Sequence, residues 1–240
     1  MSKSAIEWTE ETWNPVTGCD RVSPGCDNCY AERLANRLQA MGNRRYVNGF
    51  GVTLHWDKIE DPLRWRKPRT VFVNSMSDLF HPEIPADFIS RVMDVMEEVS
   101  QHTFQVLTKR PQIALRHLDG RTLPANVWMG TSIESDSYTF RANYLRKIDV
   151  PTRFLSLEPL LGPLPSLDLT GIGWVIVGGE SGPGHRPMEL EWAQDLRDRT
   201  TAAGIPFFFK QWGGHTPKAG GRELDGRTWD EMPVLTRLPI

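Results

Sequence analysis

Three cysteines, Cys19, Cys26 and Cys29, fall within eleven residues and are the only ones in a chain of 240. On a segment loosened by Gly18, Pro24 and Gly25, thiolates this close converge on one soft metal centre without help from distant parts of the fold. Two centres suit them. A [4Fe-4S] cluster held by three thiolates leaves one iron open to bind a substrate or cofactor. A structural zinc needs a fourth ligand, a distant histidine or aspartate. Zinc sites usually draw on two knuckles, and no second CxxC or HxxxH pair exists among His55, His81, His102, His117, His185 and His215. The pattern favours iron-sulfur and keeps zinc as the alternative. An odd, tightly grouped set of cysteines builds no disulfide framework, which suits a reducing compartment.

The elements around this loop must position it. Ile6 to Trp13, punctuated by Asn14 and Pro15, reads as a short first strand. After Cys29, Tyr30, Leu34, Leu38 and Met41 recur at helical spacing and Gly42 offers a stop. Residues 43–67 read as an irregular packed excursion. From Thr70 apolar runs alternate with amphipathic helical patterns. The strands are predicted at 70–74, 104–107, 127–129, 153–157, 174–177 and 206–210. Helices are expected after Pro85, around Ile113 to Leu118, from an N-cap at Ser137 through Ile148, and from about Leu190 to Ala203. The Gly- and Pro-rich stretch 162–173 predicts an irregular crossover. With the first strand, about seven βα-type units result. That count predicts an α/β fold, a partial or nearly closed (β/α) barrel of six to seven parallel strands, in one domain over residues 1–240.

Each predicted strand exits into polar residues: Asn74, Ser75 and Asp78; Thr108, Lys109 and Arg110; Thr131, Ser132 and Glu134; Ser156 and Glu158; Glu180 and Ser181; Lys210 and Gln211. In β/α barrels that edge carries the chemistry, and the cysteine loop joins the same rim. Glycines 178, 179, 182 and 184 would let an adenosine approach the backbone or form a plain turn; no phosphate-loop motif accompanies them. Glu158 and Glu180 are placed at the cavity. The segment Arg64 to Arg69 interleaves Trp65 with basic residues, as nucleic-acid surfaces do and as ordinary solvated faces also do. A formal charge of -2 advertises no overall basic surface. No apolar signal core opens the chain and no apolar run approaches the roughly 20 residues of a membrane span, so a cytoplasmic protein is expected.

These residues carry a resemblance. Cys19 and Cys26 to Glu32, followed by the alternation of strands and helices, resemble the radical S-adenosylmethionine superfamily. More closely, Trp13 to Cys19, Asn74 to Asp78, Leu107 to Pro111, Ser156 to Pro159, Val177 to Gly182 and Phe209 to Gly213 together resemble an uncharacterised, phage-associated branch of it, a domain of unknown function. The resemblance implies an enzyme with a radical-SAM-type barrel in which Cys19, Cys26 and Cys29 ligate a [4Fe-4S] cluster. The open iron binds S-adenosylmethionine, and one electron, delivered by a donor protein, cleaves it to a 5′-deoxyadenosyl radical that abstracts hydrogen from a substrate. Ser75 and Asp78 would contact the methionyl amine, and Ser132 and Glu134 the ribose or carboxylate. Tyr30, Glu158, Gly178 and Gly179 complete the candidate cofactor-binding set, and Lys109, Glu180 and Lys210 are the candidate catalytic residues. The lysines would neutralise an anionic substrate or the methionyl carboxylate.

Two departures stand out. Six residues separate Cys19 from Cys26 where the superfamily usually has three, and Asn28 precedes the last cysteine where an adenine-contacting aromatic is common. The adenine contact is therefore unassigned. The expected substrate is a nucleic acid or nucleotide, and the rival reading is a non-catalytic, zinc- or cluster-stabilised binding protein on the same barrel.

Overall fold

A computed structural model describes residue 4, residues 6–216 and residues 218–234. Seven parallel strands run in chain order across one curled, half-barrel sheet: β1 Glu11–Trp13, β2 Thr70–Val73, β3 Thr103–Thr108, β4 Val127–Ser132, β5 Thr152–Leu157, β6 Trp174–Gly178 and β7 Phe207–Gln211. Helices α1 Tyr30–Ala40, α2 Ala86–Glu98, α3 Pro111–His117, α4 Phe140–Leu145 and α5 Leu190–Ala202 form crossovers. Between β5 and β6 there is no helix, as the composition of 162–173 predicts. No helix among the described residues is long and apolar enough to cross a membrane.

The strands read as continuous apolar runs because both faces are buried. Alternate residues divide into two cores. Val71, Val73, Phe104, Val106, Val127, Met129, Leu155, Val175 and Phe209 face the helices, where α2 supplies Phe88, Ile89, Val92 and Met96. Phe72, Trp128, Phe154, Trp174, Ile176 and Phe208 turn to the concave side and, with Trp8, form a separate aromatic cluster. Trp174 touches Trp8, Trp128, Phe154 and Phe208. Further toward the strand C-termini the same inward register carries Ser132, Ser156, Glu158 and Lys210, so an aromatic floor underlies a polar mouth.

Two local expectations are corrected and the first helix is located. The first strand spans only Glu11–Trp13, because a turn closed by Thr9 N–H to the Ile6 carbonyl (3.3 Å) lifts Trp8 out of line and into the aromatic floor. The helix expected after Cys29 is α1, in which Ala31 and Ala35 are buried and Leu38 packs beside them, while Tyr30, Leu34 and the following Met41 are exposed. The small alanine side chains let the helix approach Tyr46 and Met76 closely. The segment expected to start at a Ser137 N-cap is instead a 3-10 turn, Asp136–Tyr138, followed by α4, with Ser135 at the cap position and the Asp136 carboxylate pinned by the Ser166 amide.

Gly130 on β4 has no room for a side chain, since a Cβ there would lie 2.4 Å from the Phe154 ring. Gly130→Ala is expected to lower stability by about 1–3 kcal/mol, the cost of overpacking a closed core, read as a reduced urea midpoint at unchanged m-value.

Candidate functional site

The cysteine loop leaves β1 along the loop that follows β2. Asn14 Oδ1 accepts from Ser75 Oγ (3.2 Å) and the Met76 amide (3.0 Å), Asn74 Oδ1 accepts from the Val16 amide (3.3 Å), and Ser77 Oγ donates to the Val16 carbonyl (2.9 Å). Val16–Thr17 then pair antiparallel with Thr53–Leu54. Gly18 has φ +91°, and a Cβ there would lie 2.2 Å from the Gly51 carbonyl oxygen, so only glycine admits the close approach that sets Cys19. Pro24–Cys26 form a 3-10 turn, and Cys29 directly precedes α1. All three thiols are free and partly exposed.

Three carboxylate–arginine pairs, from the ends of β2, β4 and β6, hold this loop. Asp78, buried after β2, accepts from Thr108 Oγ1 (2.7 Å), the Phe80 and Lys109 amides (3.0 Å each) and Arg110 Nη1 (3.1 Å). Arg110 in turn donates to Cys19 Sγ (3.3 Å) and to the Asp20 carbonyl (3.2 Å). Burial pushes the Cys19 thiol up to about 11, with Asp78 adding to the rise and Arg110 opposing it.

The second pair grips the other end. Glu180 accepts from the Arg186 amide and side chain and from Asn28 Nδ2 (2.9 Å). Arg186 reaches on to the Pro24 carbonyl (2.8 Å) and the Asp27 carboxylate (3.3 Å). Burial raises the Glu180 pKa, but the bonds from Arg186 and Asn28 outweigh it and hold the carboxyl below its ordinary value. The third pair lies beneath the loop. Glu134 is fully buried, its Oε2 accepts from Arg141 Nη1 (2.9 Å), and Arg141 also donates to the Ser132 carbonyl (2.9 Å) and stacks on Tyr138. A Cβ on Gly25 would sit 3.2 Å from the Glu134 carboxyl carbon, and Glu134 Oε1 has no protein partner.

Across the mouth, Lys210 Nζ donates to Glu158 Oε1 (2.6 Å), and Gln211 Nε2 donates to Ser181 Oγ (2.7 Å). Gly178 faces that pair, with Glu158 Cδ 3.3 Å from where its Cβ would be. The Cβ space of Gly179 is taken by the Trp212 carbonyl oxygen (1.9 Å), so this glycine serves the contact between the loops after β6 and β7. Tyr30 donates to the Ser75 carbonyl while half its surface stays exposed. Desolvation, with Cys29 and Glu158 adding, raises its phenol pKa. Lys109 is held at the rim through its amide bond to Asp78.

The structure thus brings Cys19, Cys26, Cys29, Tyr30, Ser75, Asp78, Ser132, Glu134, Glu158, Gly178, Lys109, Glu180 and Lys210 to one edge of the sheet. Arg64 to Arg69 does not join them: it enters β2 at the opposite edge, with Arg69 paired to Glu11 (2.9 Å) and stacked on Trp65. Sequence reasoning left Arg110 without a role and missed Arg141 and Arg186. The last two follow their carboxylates by seven and six residues, a spacing that could have suggested them. Arg110 lies 32 residues from Asp78, and only the fold joins that pair.

The sulfur spacing bears on which centre fits. One tetrahedral zinc, at about 2.3 Å per bond, holds thiolates about 3.8 Å apart. Here the three Sγ atoms are not all within 4.8 Å of one another; among the described residues the set of possible ligands that close is Asp20, His81 and Glu83. Three free thiols on one loop, with no second cysteine pair, are the donor set that a [4Fe-4S] cluster with one open iron takes.

Residues 3–233 match the family described as "Protein of unknown function (DUF5131)". Among curated proteins none matches. Solved structures with similar folds include a cysteine-to-serine mutant of spore photoproduct lyase, with a TM-score of 0.51 and 14% identity over 75% of this chain and 58% of that one. Another is spore photoproduct lyase complexed with dinucleoside spore photoproduct, with a TM-score of 0.48 and 13% identity over 81% and 74%. The chain spans under three fifths of the first structure. The curled sheet matches the radical S-adenosylmethionine partial barrel and the spore photoproduct lyase fold.

Arg141→Met leaves Glu134 buried without its cation and is expected to cost about 3–5 kcal/mol, measured by urea unfolding, with Glu134→Gln in the same chain recovering part of the loss. For Glu180 the folded-state pKa is depressed, so its contribution is complete above the ordinary carboxylate value of about 4.3 and is lost as pH falls through the folded value. Glu180→Gln is expected to flatten the acid limb of a stability-against-pH curve; an unchanged limb would contradict the assignment.

Proposed function

For a chain that belongs to this family of unknown function and folds as a radical S-adenosylmethionine partial barrel, we propose a radical S-adenosylmethionine enzyme whose Cys19, Cys26 and Cys29 hold a [4Fe-4S] cluster. The observation that carries the reading is the three-cysteine loop itself, tied to the C-terminal rim by Asp78–Arg110 and Glu180–Arg186. When bound, the cluster and S-adenosylmethionine supply one-electron cleavage of a sulfonium and a carbon radical that abstracts hydrogen.

The chain's own residues provide the setting. Arg110, Arg186 and Asn28 fix the loop that presents the thiolates. Glu134, fully buried beneath Gly25 and paired with Arg141, supports the loop from below. Ser75, Ser132, Tyr30 and Gly178 line the approach, while three of Asp78's four bonds tie it to the segment 108–110. Lys210, aimed by Glu158, offers a cation to an anionic substrate from the far side of the mouth. The aromatic floor closes the barrel to water from below, which protects a radical from quenching.

A nucleic acid or nucleotide is the proposed substrate. The phage association implied by the sequence resemblance supports it, as does the fold shared with a protein named as a lyase of spore photoproduct. A small redox protein is the proposed electron donor.

Anaerobic purification and reconstitution tests the reading. The expected result is near-stoichiometric iron and sulfide, visible absorption that dithionite bleaches, and 5′-deoxyadenosine on adding S-adenosylmethionine, with the yield altered by oligonucleotides or nucleotides. Cys26→Ala is expected to abolish cluster assembly. Stoichiometric zinc without sulfide would reject the cluster, and indifference of the yield to every nucleic acid and nucleotide tried would reject the substrate class.

A further inference from the structure

The three thiolates have unlike surroundings. Cys19 Sγ accepts a bond from a guanidinium, Arg110 Nη1 at 3.3 Å, whereas Cys26 Sγ meets the neutral Ser23 hydroxyl at 4.0 Å. Arg110 is locked in place. The nitrogen that reaches the sulfur also donates to Asp78 Oδ2 (3.1 Å), its other terminal nitrogen donates to the Asp20 carbonyl (3.2 Å), and its amide donates to Thr108 Oγ1 (2.9 Å). Thr108 Oγ1 in turn donates to Asp78 Oδ1 (2.7 Å), closing a ring of bonds. Both side chains of the pair are nearly inaccessible, 6% exposed for Arg110 and 7% for Asp78, so water and salt screen this charge little.

The geometry points to Arg110 as a residue that tunes the centre: aimed by Asp78, it hydrogen-bonds the Cys19 sulfur and raises the reduction potential of a cluster held by Cys19, Cys26 and Cys29. This rests on the cluster reading above. Reduction adds an electron to a group whose thiolates are already negative, and a donor fixed on one sulfur stabilises the more negative state by the greater amount. Asp78 compensates the guanidinium, which lets the charge stay buried, and the shared Nη1 keeps the positive end of the pair on the sulfur side. Arginine suits this position because its planar fork spans sulfur, carboxylate and carbonyl at once, which a lysine ammonium on a flexible stem does not.

The test is a redox titration of the whole chain, reconstituted anaerobically and without S-adenosylmethionine, followed by electron paramagnetic resonance of the reduced cluster, with iron and sulfide counted on the same samples. Arg110→Gln is expected to retain the wild-type iron and sulfide and to shift the reduction equilibrium at least tenfold toward the oxidised form, about 59 mV for a one-electron couple. Arg110→Lys, which keeps the charge and loses the fork, is expected to shift it less. An unchanged potential in Arg110→Gln, or loss of iron from both variants, overturns the inference and leaves Arg110 a scaffold residue. A wild-type chain that takes up no iron in the same run overturns the cluster reading as well, so the two failures are distinguishable.

Discussion

The structure depends on one constraint: a short, glycine- and proline-containing loop must hold three thiols in fixed relation at the open edge of a parallel sheet. Backbone pairing fixes its two ends, where Gly18 packs against Gly51 and where α1 begins after Cys29. Between them the loop has little secondary structure of its own, and charge does the holding. Asp78–Arg110 grips the first cysteine and Glu180–Arg186 grips the turn around the second and third, while Glu134–Arg141 supports Gly25 from below. Because both partners are buried in two of these pairs and the carboxylate in the third, losing one member strands the other in a poor solvent for charge. The loop geometry is thereby tied to the integrity of three strand ends at once.

The same sheet separates two environments along its inward register. Large aromatic residues fill the lower layer, and serine, glutamate and lysine replace them above. Gly130 marks the transition, vacated so that the Phe154 ring can lie across the barrel. Such a layering sets polar side chains over a closed aromatic floor, at the edge where β/α folds carry their chemistry.

Much of this was legible in the sequence. The strands of 70–73, 103–108, 127–132, 152–157, 174–178 and 207–211 announce themselves as apolar runs, and the polar residues just past each of them do gather at one edge. What was not legible has physical causes. The helix after Cys29 was legible from the spacing of Tyr30, Leu34, Leu38 and Met41, but that Ala31 and Ala35 make its closest contacts was not, because periodicity reports amphipathicity and not which side meets a neighbour. Asp78 and Glu180 looked like groups awaiting a ligand, and their oxygens are instead occupied by arginines, one of them 32 residues away. Gly179 looked like a place for adenosine and is filled by the Trp212 carbonyl. Spacing within a motif can be read locally; a charge partner brought by the fold cannot.

Anomalous diffraction at the iron and zinc absorption edges, from crystals of anaerobically prepared protein, tests the central claim most directly. The account predicts iron-edge density enclosed by Cys19, Cys26 and Cys29, with Arg110 still on the Cys19 sulfur. A single zinc-edge peak bound by those thiolates together with Asp20 or His81 would contradict it.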